Sequence, residues 1–203
     1  MPPPSLAGIF PPVATPFKEN GDLDLDGLRA NLEKLNAQPL AGYVLGGSNG
    51  EFTSLTVAER LEVVSAARGV IPRDRLLIAG SGLESTRATL DLTEKMAGRG
   101  ADVASVVTPG YFKAKMTAPA LEAFYREVAD HSAAPVLLYS VPANTGVDLP
   151  AEAVAKLAAH PNIIGLKDSG GDITKIGRMV YEAGAVRPDF QVLSGSAVVF
   201  LPA

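Results

Sequence analysis

The chain has 203 residues, 47% of them hydrophobic, with a formal net charge of −4, which supplies a sizeable core but lacks the basic face that nucleic acid requires. It has no cysteine and two histidines, His131 and His160, so disulfides, thiolate metal sites and thiol nucleophiles are excluded and a His-rich metal centre is disfavoured. No apolar run approaches the ~20 residues of a membrane span. The opening MPPPSLAG has neither the basic and apolar regions of a secretion signal nor the Arg-rich character of a transit peptide. A soluble, cytoplasmic protein without a membrane partner is expected.

In chain order, seven short apolar runs read as strands: GIFPPVAT from Gly8, GYVLGG from Gly42, LLIAGSG from Leu76, DVASVVT from Asp102, PVLLYSV from Pro135, IIGLKDS from Ile163 and QVLSGS from Gln191. Near-continuous apolar runs of this kind suit parallel strands covered on both faces. Helix-period segments lie between them. Leu28, Leu32 and Leu35 form one stripe, and Thr56 with Glu59 makes a capping box ahead of Leu61, Val63 and Val64. Thr117 and Pro119 open a helix carrying Leu121, Phe124, Tyr125 and Val128; Leu149 and Pro150 open another carrying Val154, Leu157 and Ala158; Ile173, Ile176 and Val180 mark the last.

Strand starts recur roughly every 30 residues, the size of one βα unit. Uninterrupted β–α alternation means a parallel α/β fold, either an eight-fold barrel or an open doubly wound sheet. The dinucleotide-binding option is weak: Gly80-Ser81-Gly82 begins a G-x-G, but Ser85 stands at the third position, and a chain with 20 glycines produces such pairs by chance. The barrel fits better because polar residues gather at strand ends: Thr15, Ser48, Asn49, Thr108, Tyr139, Lys167, Ser194 and Ser196. A full (β/α)8 TIM barrel takes eight units in ~250 residues. Here only Val199-Phe200-Leu201-Pro202-Ala203 closes the chain. The expectation is one barrel domain over residues 1–203, truncated after strand seven and lacking the eighth βα unit and the C-terminal helices.

Lys167 is the residue that most needs explaining. Strict alternation in IIGLKD puts Ile163, Gly165 and Lys167 on one face and Ile164 and Leu166 on the other. If the first face is the barrel interior, Gly165 leaves space beneath Lys167, and desolvation lowers the lysine pKa toward a neutral amine, the form that attacks a carbonyl. A lysine that merely ends its strand in solvent fits the same pattern. Tyr139 ends the preceding strand and suits a general acid/base, or an ordinary core tyrosine. GGSNGE after the second strand exposes backbone N–H groups that can cradle a carboxylate, or forms a plain tight turn. Tyr111, on the fourth loop, reads as chemistry or as packing. Asp168 should face away from Lys167, Glu51 reads as a structural acceptor, and both histidines read as surface residues.

Together, GSNGEFTSLTVAER, VVTPGYF, LLYSVPANTG and GLKDSGGD resemble, in this order, the dihydrodipicolinate synthase/N-acetylneuraminate lyase superfamily of class I aldolases. The resemblance covers Gly8 to Ser196. It implies a (β/α)8 barrel, a homotetramer built as a dimer of dimers, a small-molecule 2-oxo acid substrate, and no cofactor beyond a covalent Schiff base on Lys167. It also implies Tyr139 as general acid/base and Tyr111 as the tyrosine that crosses a dimer interface, the two forming a proton relay with Ser48. Gly47, Ser48, Asn49, Ser169 and Gly195 take the substrate-binding places. Two departures choose a branch. Dihydrodipicolinate synthases carry Arg where this chain has Asn144, and N-acetylneuraminate lyases carry an acidic pair where it has Ala197 and Val198. The expected activity is therefore that of a metal-independent carbon–carbon lyase closest to 4-hydroxy-2-oxoglutarate aldolase, cleaving 4-hydroxy-2-oxoglutarate to pyruvate and glyoxylate. A dihydrodipicolinate synthase-like condensation and a 2-keto-3-deoxy sugar acid aldolase are the enzymatic alternatives. A non-catalytic chain that binds a full-length family partner is the alternative of another class, because open sheet edges invite association.

Overall fold

The computed structural model describes residues 3–199. The C-terminal run from Phe200 onward, where an eighth strand was not expected, lies outside the described residues. Six strands pair in parallel: β1 (Gly42–Leu45), β2 (Leu76–Gly80), β3 (Val103–Val107), β4 (Val136–Ser140), β5 (Ile163–Asp168) and β6 (Gln191–Ser194). Their spatial order is their chain order. That is the wall of a barrel, since a doubly wound sheet reverses direction at a switch point.

The wall curls around one interior. Val44, Ile78, Val103, Leu137 and Ile164, one residue from each of the first five strands, form a single buried cluster against which Leu193 of β6 packs. Leu6 belongs to the same cluster. Its N–H donates to Gln191 Oε1, and Gln191 Nε2 donates to the Pro4 carbonyl at 3.2 Å, so the N-terminal segment straps β6 from the far side.

The run from Gly8, expected as the first strand, forms no regular strand. Pro11 and Pro12 have no N–H to give to a ladder. The segment nevertheless runs parallel to β1 through Ala41 N–H to Ile9 O (3.1 Å), Val44 N–H to Pro11 O (3.0 Å) and Val13 N–H to Val44 O (2.9 Å).

Two apolar clusters lie between the outer face of the wall and the helices. One joins α1 (Leu25–Asn36), α2 (Val57–Arg68) and α3 (Thr86–Ala97) to β1 and β2. The other joins α4 (Ala118–His131), α6 (Ala151–Ala158) and α7 (Ile173–Val186) to β3, β4 and β5. The expected capping box is present: Thr56 Oγ1 accepts the Glu59 N–H, and Glu59 accepts the Thr56 N–H at 2.8 Å. The α3 helix, for which no stripe was read, is capped by the Ser85 hydroxyl on the Ala88 N–H, the same serine that spoils the G-x-G motif. On α7 the buried stripe is Ile176, Met179 and Ala183; Ile173 and Val180 lie on its flank, and Val180 is 52% exposed. The short α5 (Pro142–Thr145) follows β4. No described helix is long and apolar enough to cross a membrane.

A β-bulge in β5 breaks the expected alternation. Val136 pairs with Ile163, but Leu137 pairs with Gly165, which leaves Ile164 extra. Ile163 therefore joins the helix-facing cluster and Ile164 turns into the interior, the reverse of strict period two. Beyond the bulge Leu166 faces the helices and Lys167 faces in, as expected. Nor does Gly165 leave space beneath Lys167: a Cβ there would lie 2.3 Å from the Gln191 carbonyl oxygen, so the glycine is what lets β6 approach.

Leu137 is fully buried at the centre of the wall. Leu137→Ala should cost about 2–5 kcal/mol, measured as a lower urea midpoint at unchanged m-value.

Candidate active site

Tyr139 and Lys167 are register partners at the C-terminal ends of β4 and β5. Period two puts Tyr139 on the interior face with Leu137. Lys167 Nζ lies 4.3 Å from the centroid of the Tyr139 ring. Lys167 is half-buried and Tyr139 is buried. Among the described residues, no carboxylate lies within ion-pair distance of Lys167. Asp168 faces away as expected, its carboxylate accepting the Gly170 N–H at 2.9 Å and Lys175 Nζ at 3.1 Å.

The turn after β1 delivers Ser48. Gly46 takes the left-handed conformation (φ +61°) that releases the chain from the strand, and Gly47 is buried behind it. Ser48, Asn49 and Gly50 form one 3₁₀ turn whose bonds close from Gly50 N–H to Gly47 O and from Glu51 N–H to Ser48 O. The Ser48 and Asn49 N–H groups have no acceptor inside that turn. Ser48 Oγ lies 3.3 Å from Tyr139 Oη, while Asn49 is exposed. Thr15 Oγ1 donates to Gly50 O at 2.8 Å and ties the turn to the N-terminal segment. Glu51, read as a structural acceptor, is exposed and contributes through its backbone, the one non-glycine with positive φ (53°) among the described residues.

Ser169 and Gly195 meet beside β5. A Cβ on Gly195 would lie 2.0 Å from Ser169 Oγ, the Gly195 N–H donates to Asp168 O at 2.7 Å, and the Ser169 N–H donates to Ser140 O at 2.8 Å. Tyr111 stands apart. It is 77% exposed, its ring lies edge-on to Phe112 at 4.9 Å, and no hydrogen bond joins it to Ser48 or Tyr139 within one copy of the chain. Its loop is held by Glu84, whose carboxylate accepts the Gly110 and Tyr111 N–H groups at 3.1 Å each.

A cavity of about 730 Å³ opens between the loops that follow β1 to β4, lined by Ser48, Arg60, Glu84, Tyr111, Asn144 and Thr145 among others. Lys167 is not in its lining; the route from cavity to lysine passes Ser48 and Tyr139. Arg60 carries no signal in the sequence, because V-A-E-R in a helix reads as a solvated face. It is buried, donates to Gly80 O at 2.7 Å, and lies 5.1 Å over the Phe52 ring. Burial pushes its pKa down to about 10, so it stays charged at neutral pH. Arg60 and Tyr139 also line one small interior crevice with Gly46 and Gly47.

His131 is exposed as expected. His160 is not a free surface residue: its side chain is 12% exposed and bonds Asp130 at 2.9 Å. That bond holds the Asp130 carboxyl below its ordinary value. Among the described residues, no three His, Asp or Glu side chains converge as a metal ion would require.

Residues 5–203 match the Dihydrodipicolinate synthetase family. A 4-hydroxy-tetrahydrodipicolinate synthase from Stenotrophomonas maltophilia (strain K279a) is 41% identical over 192 residues, covering 94% of this chain and 63% of the relative. One from Methanothrix thermoacetophila is 38% identical over 195 residues, covering 96% and 64%. Among solved structures, a prophage protein of the dihydrodipicolinic acid synthase family from E. coli K12 in complex with pyruvate superposes with a TM-score of 0.91 at 33% identity, covering 98% of this chain and 66% of that one. A dihydrodipicolinate synthase from Acinetobacter baumannii complexed with pyruvate gives 0.87 at 32% identity, covering 94% and 64%. The chain thus spans about 63% of the length of the curated relatives it matches.

A double-mutant cycle of Ser48→Ala and Tyr139→Phe tests the hydroxyl pair. Its coupling energy in urea unfolding should be about 0.5–1.5 kcal/mol, the range of one net hydrogen bond.

Proposed function

The chain belongs to the dihydrodipicolinate synthetase family, and from that premise we propose that Lys167 forms a Schiff base with pyruvate in a reaction that makes or breaks a carbon–carbon bond. The observation that carries this reading is the row of three groups on one face: Lys167 Nζ over the Tyr139 ring, and Ser48 Oγ beside Tyr139 Oη.

In the proposed sequence, the neutral Lys167 amine attacks the C2 carbonyl of pyruvate and water leaves to give a cationic iminium. Tyr139 and Ser48 move the proton that carbinolamine collapse requires. The pyruvate carboxylate sits at the Ser48–Asn49 turn, where two N–H groups await an acceptor, with Ser169 and Gly195 shaping the space beside β5. The iminium draws electrons from C3, and loss of a C3 proton yields an enamine, the carbon nucleophile. Because the iminium is itself the electron sink, the scheme asks nothing of a metal.

Two fates of the enamine are open. Addition to a second carbonyl or imine is the reading favoured by the relatives, which are named 4-hydroxy-tetrahydrodipicolinate synthases. The reverse step, cleavage of 4-hydroxy-2-oxoglutarate to pyruvate and glyoxylate, is favoured by one residue. Asn144 lines the cavity where the resemblance calls for the Arg of a synthase. The exposed Tyr111 is assigned to the site of a neighbouring copy, which makes a homo-oligomer part of the proposal.

Borohydride reduction in the presence of pyruvate, read by peptide mass spectrometry, tests the reading. A single reduced adduct on the peptide containing Lys167 is expected, none in Lys167→Ala, and trapping slowed by about 10²–10⁴-fold in Tyr139→Phe. Absence of the adduct from folded protein would overturn the reading and favour a non-catalytic role bound to a partner. Glyoxylate release from 4-hydroxy-2-oxoglutarate then separates cleavage from condensation.

A further inference from the structure

Behind Tyr139 and Lys167, on the helix-facing side of the wall, the next residue of each strand is also buried and polar. Ser140 and Asp168 are register partners, with relative exposures of 0% and 1%. Neither bonds the other directly. Ser140 Oγ donates to Asp148 Oδ1 at 3.2 Å, Lys175 Nζ pairs with the same Asp148 oxygen, and Lys175 Nζ also pairs with Asp168 Oδ2 at 3.1 Å. Asp168 Oδ1 meanwhile accepts the Gly170 N–H. One ammonium, only 14% exposed at its side chain, thus joins two carboxylates and, through them, the ends of two strands. It comes from the first turn of α7, which Asp172 caps by accepting the Thr174 and Lys175 N–H groups at 2.9 and 3.1 Å.

We infer that Lys175 is a positioning residue for the Schiff-base reaction: it clamps the outer faces of β4 and β5 and so sets the place of Tyr139 and Lys167 on the inner faces. The inference rests on the Schiff-base reading above. Successive side chains of a strand project from opposite faces of one backbone. Fixing Ser140 and Asp168 therefore fixes the peptide planes from which Tyr139 and Lys167 extend. The ladder stops at these residues, so side-chain ties must replace the next hydrogen bonds. Both carboxylates are satisfied by the same cation. Without it, Asp168, whose side chain is fully buried, keeps one N–H donor for a whole charge, and a buried carboxylate so deprived pulls away toward solvent or takes up a proton. Lys175 touches no reacting atom in this scheme.

The test is the rate constant of borohydride-trapped pyruvate adduct formation per folded molecule, measured apart from the final amount of adduct. A role in stability alone lowers the amount of folded protein and hence the amplitude. A positioning role lowers the rate constant. Lys175→Met should reduce the rate constant by about 10–100-fold, the scale of a small misplacement of reacting groups, and Lys175→Arg, which keeps the cation, should restore most of it. Asp148→Ala removes a half-exposed member of the clamp, so it leaves the fold intact and keeps the test alive should Lys175→Met precipitate; several-fold slower trapping is expected. Trapping by both variants at the parent rate constant would overturn the clamp while leaving the Schiff base standing. Failure of the parent chain to form any adduct would overturn both.

Discussion

Everything at this site depends on one pair across a parallel ladder, Tyr139 on β4 beside Lys167 on β5. A lysine amine aimed into a barrel needs a neighbour that tolerates it protonated and leaves it free when neutral. A carboxylate would hold the proton too firmly. The face of a phenol attracts the ammonium without forming an ion pair, and the hydroxyl of the same ring is held toward Ser48. One tyrosine therefore seats the nucleophile and presents the proton carrier. The two residues are brought together by strand register, so their relation is set by the same hydrogen bonds that build the wall.

That register is not simple. Without the bulge at Ile164, alternation from Ile163 would have put Ile164 against the helices and left the interior without one member of its central cluster. The extra residue lets β5 fill both sides: Ile163 and Leu166 outward, Ile164 and Lys167 inward. Gly165 completes the arrangement by admitting the Gln191 carbonyl at a distance no side chain permits. Packing of the wall and aiming of the lysine are thus two results of one local irregularity.

Much of this was legible in the residues. Parallel strands announce themselves as apolar runs, and the capping box at Thr56 and the stripe on α4 follow from local rules that tertiary structure did not override. The inward aim of Lys167 also came out correctly, although the argument passed through two residues, Ile163 and Ile164, that were assigned to the wrong faces. A bulge has no signature in an alternating run, because it depends on how the neighbouring strand docks. The strand expected at Gly8 failed where Pro11 and Pro12 remove donors. Arg60, Glu84 and Lys175 were invisible for a common reason. Each is a charged residue on a loop or helix, a position that reads as solvated, and each is recruited by partners far away in sequence: Gly80, Gly110 and Tyr111, and Asp148 with Asp168.

The strap between Leu6 and Gln191 joins residues 185 positions apart. Such a contact repays its loop-closure entropy only after the strands between have assembled, since each is a local βα unit that can form by itself while the strap cannot. The wall is therefore built by short-range steps and sealed by one very long-range step. Until the seal forms, the apolar interior around Ile78, Leu137 and Ile164 stands open at the end that Leu6 later covers. The slowest part of reaching this fold is, on that account, the docking of its first few residues, and the species that precedes it is the one most exposed to aggregation.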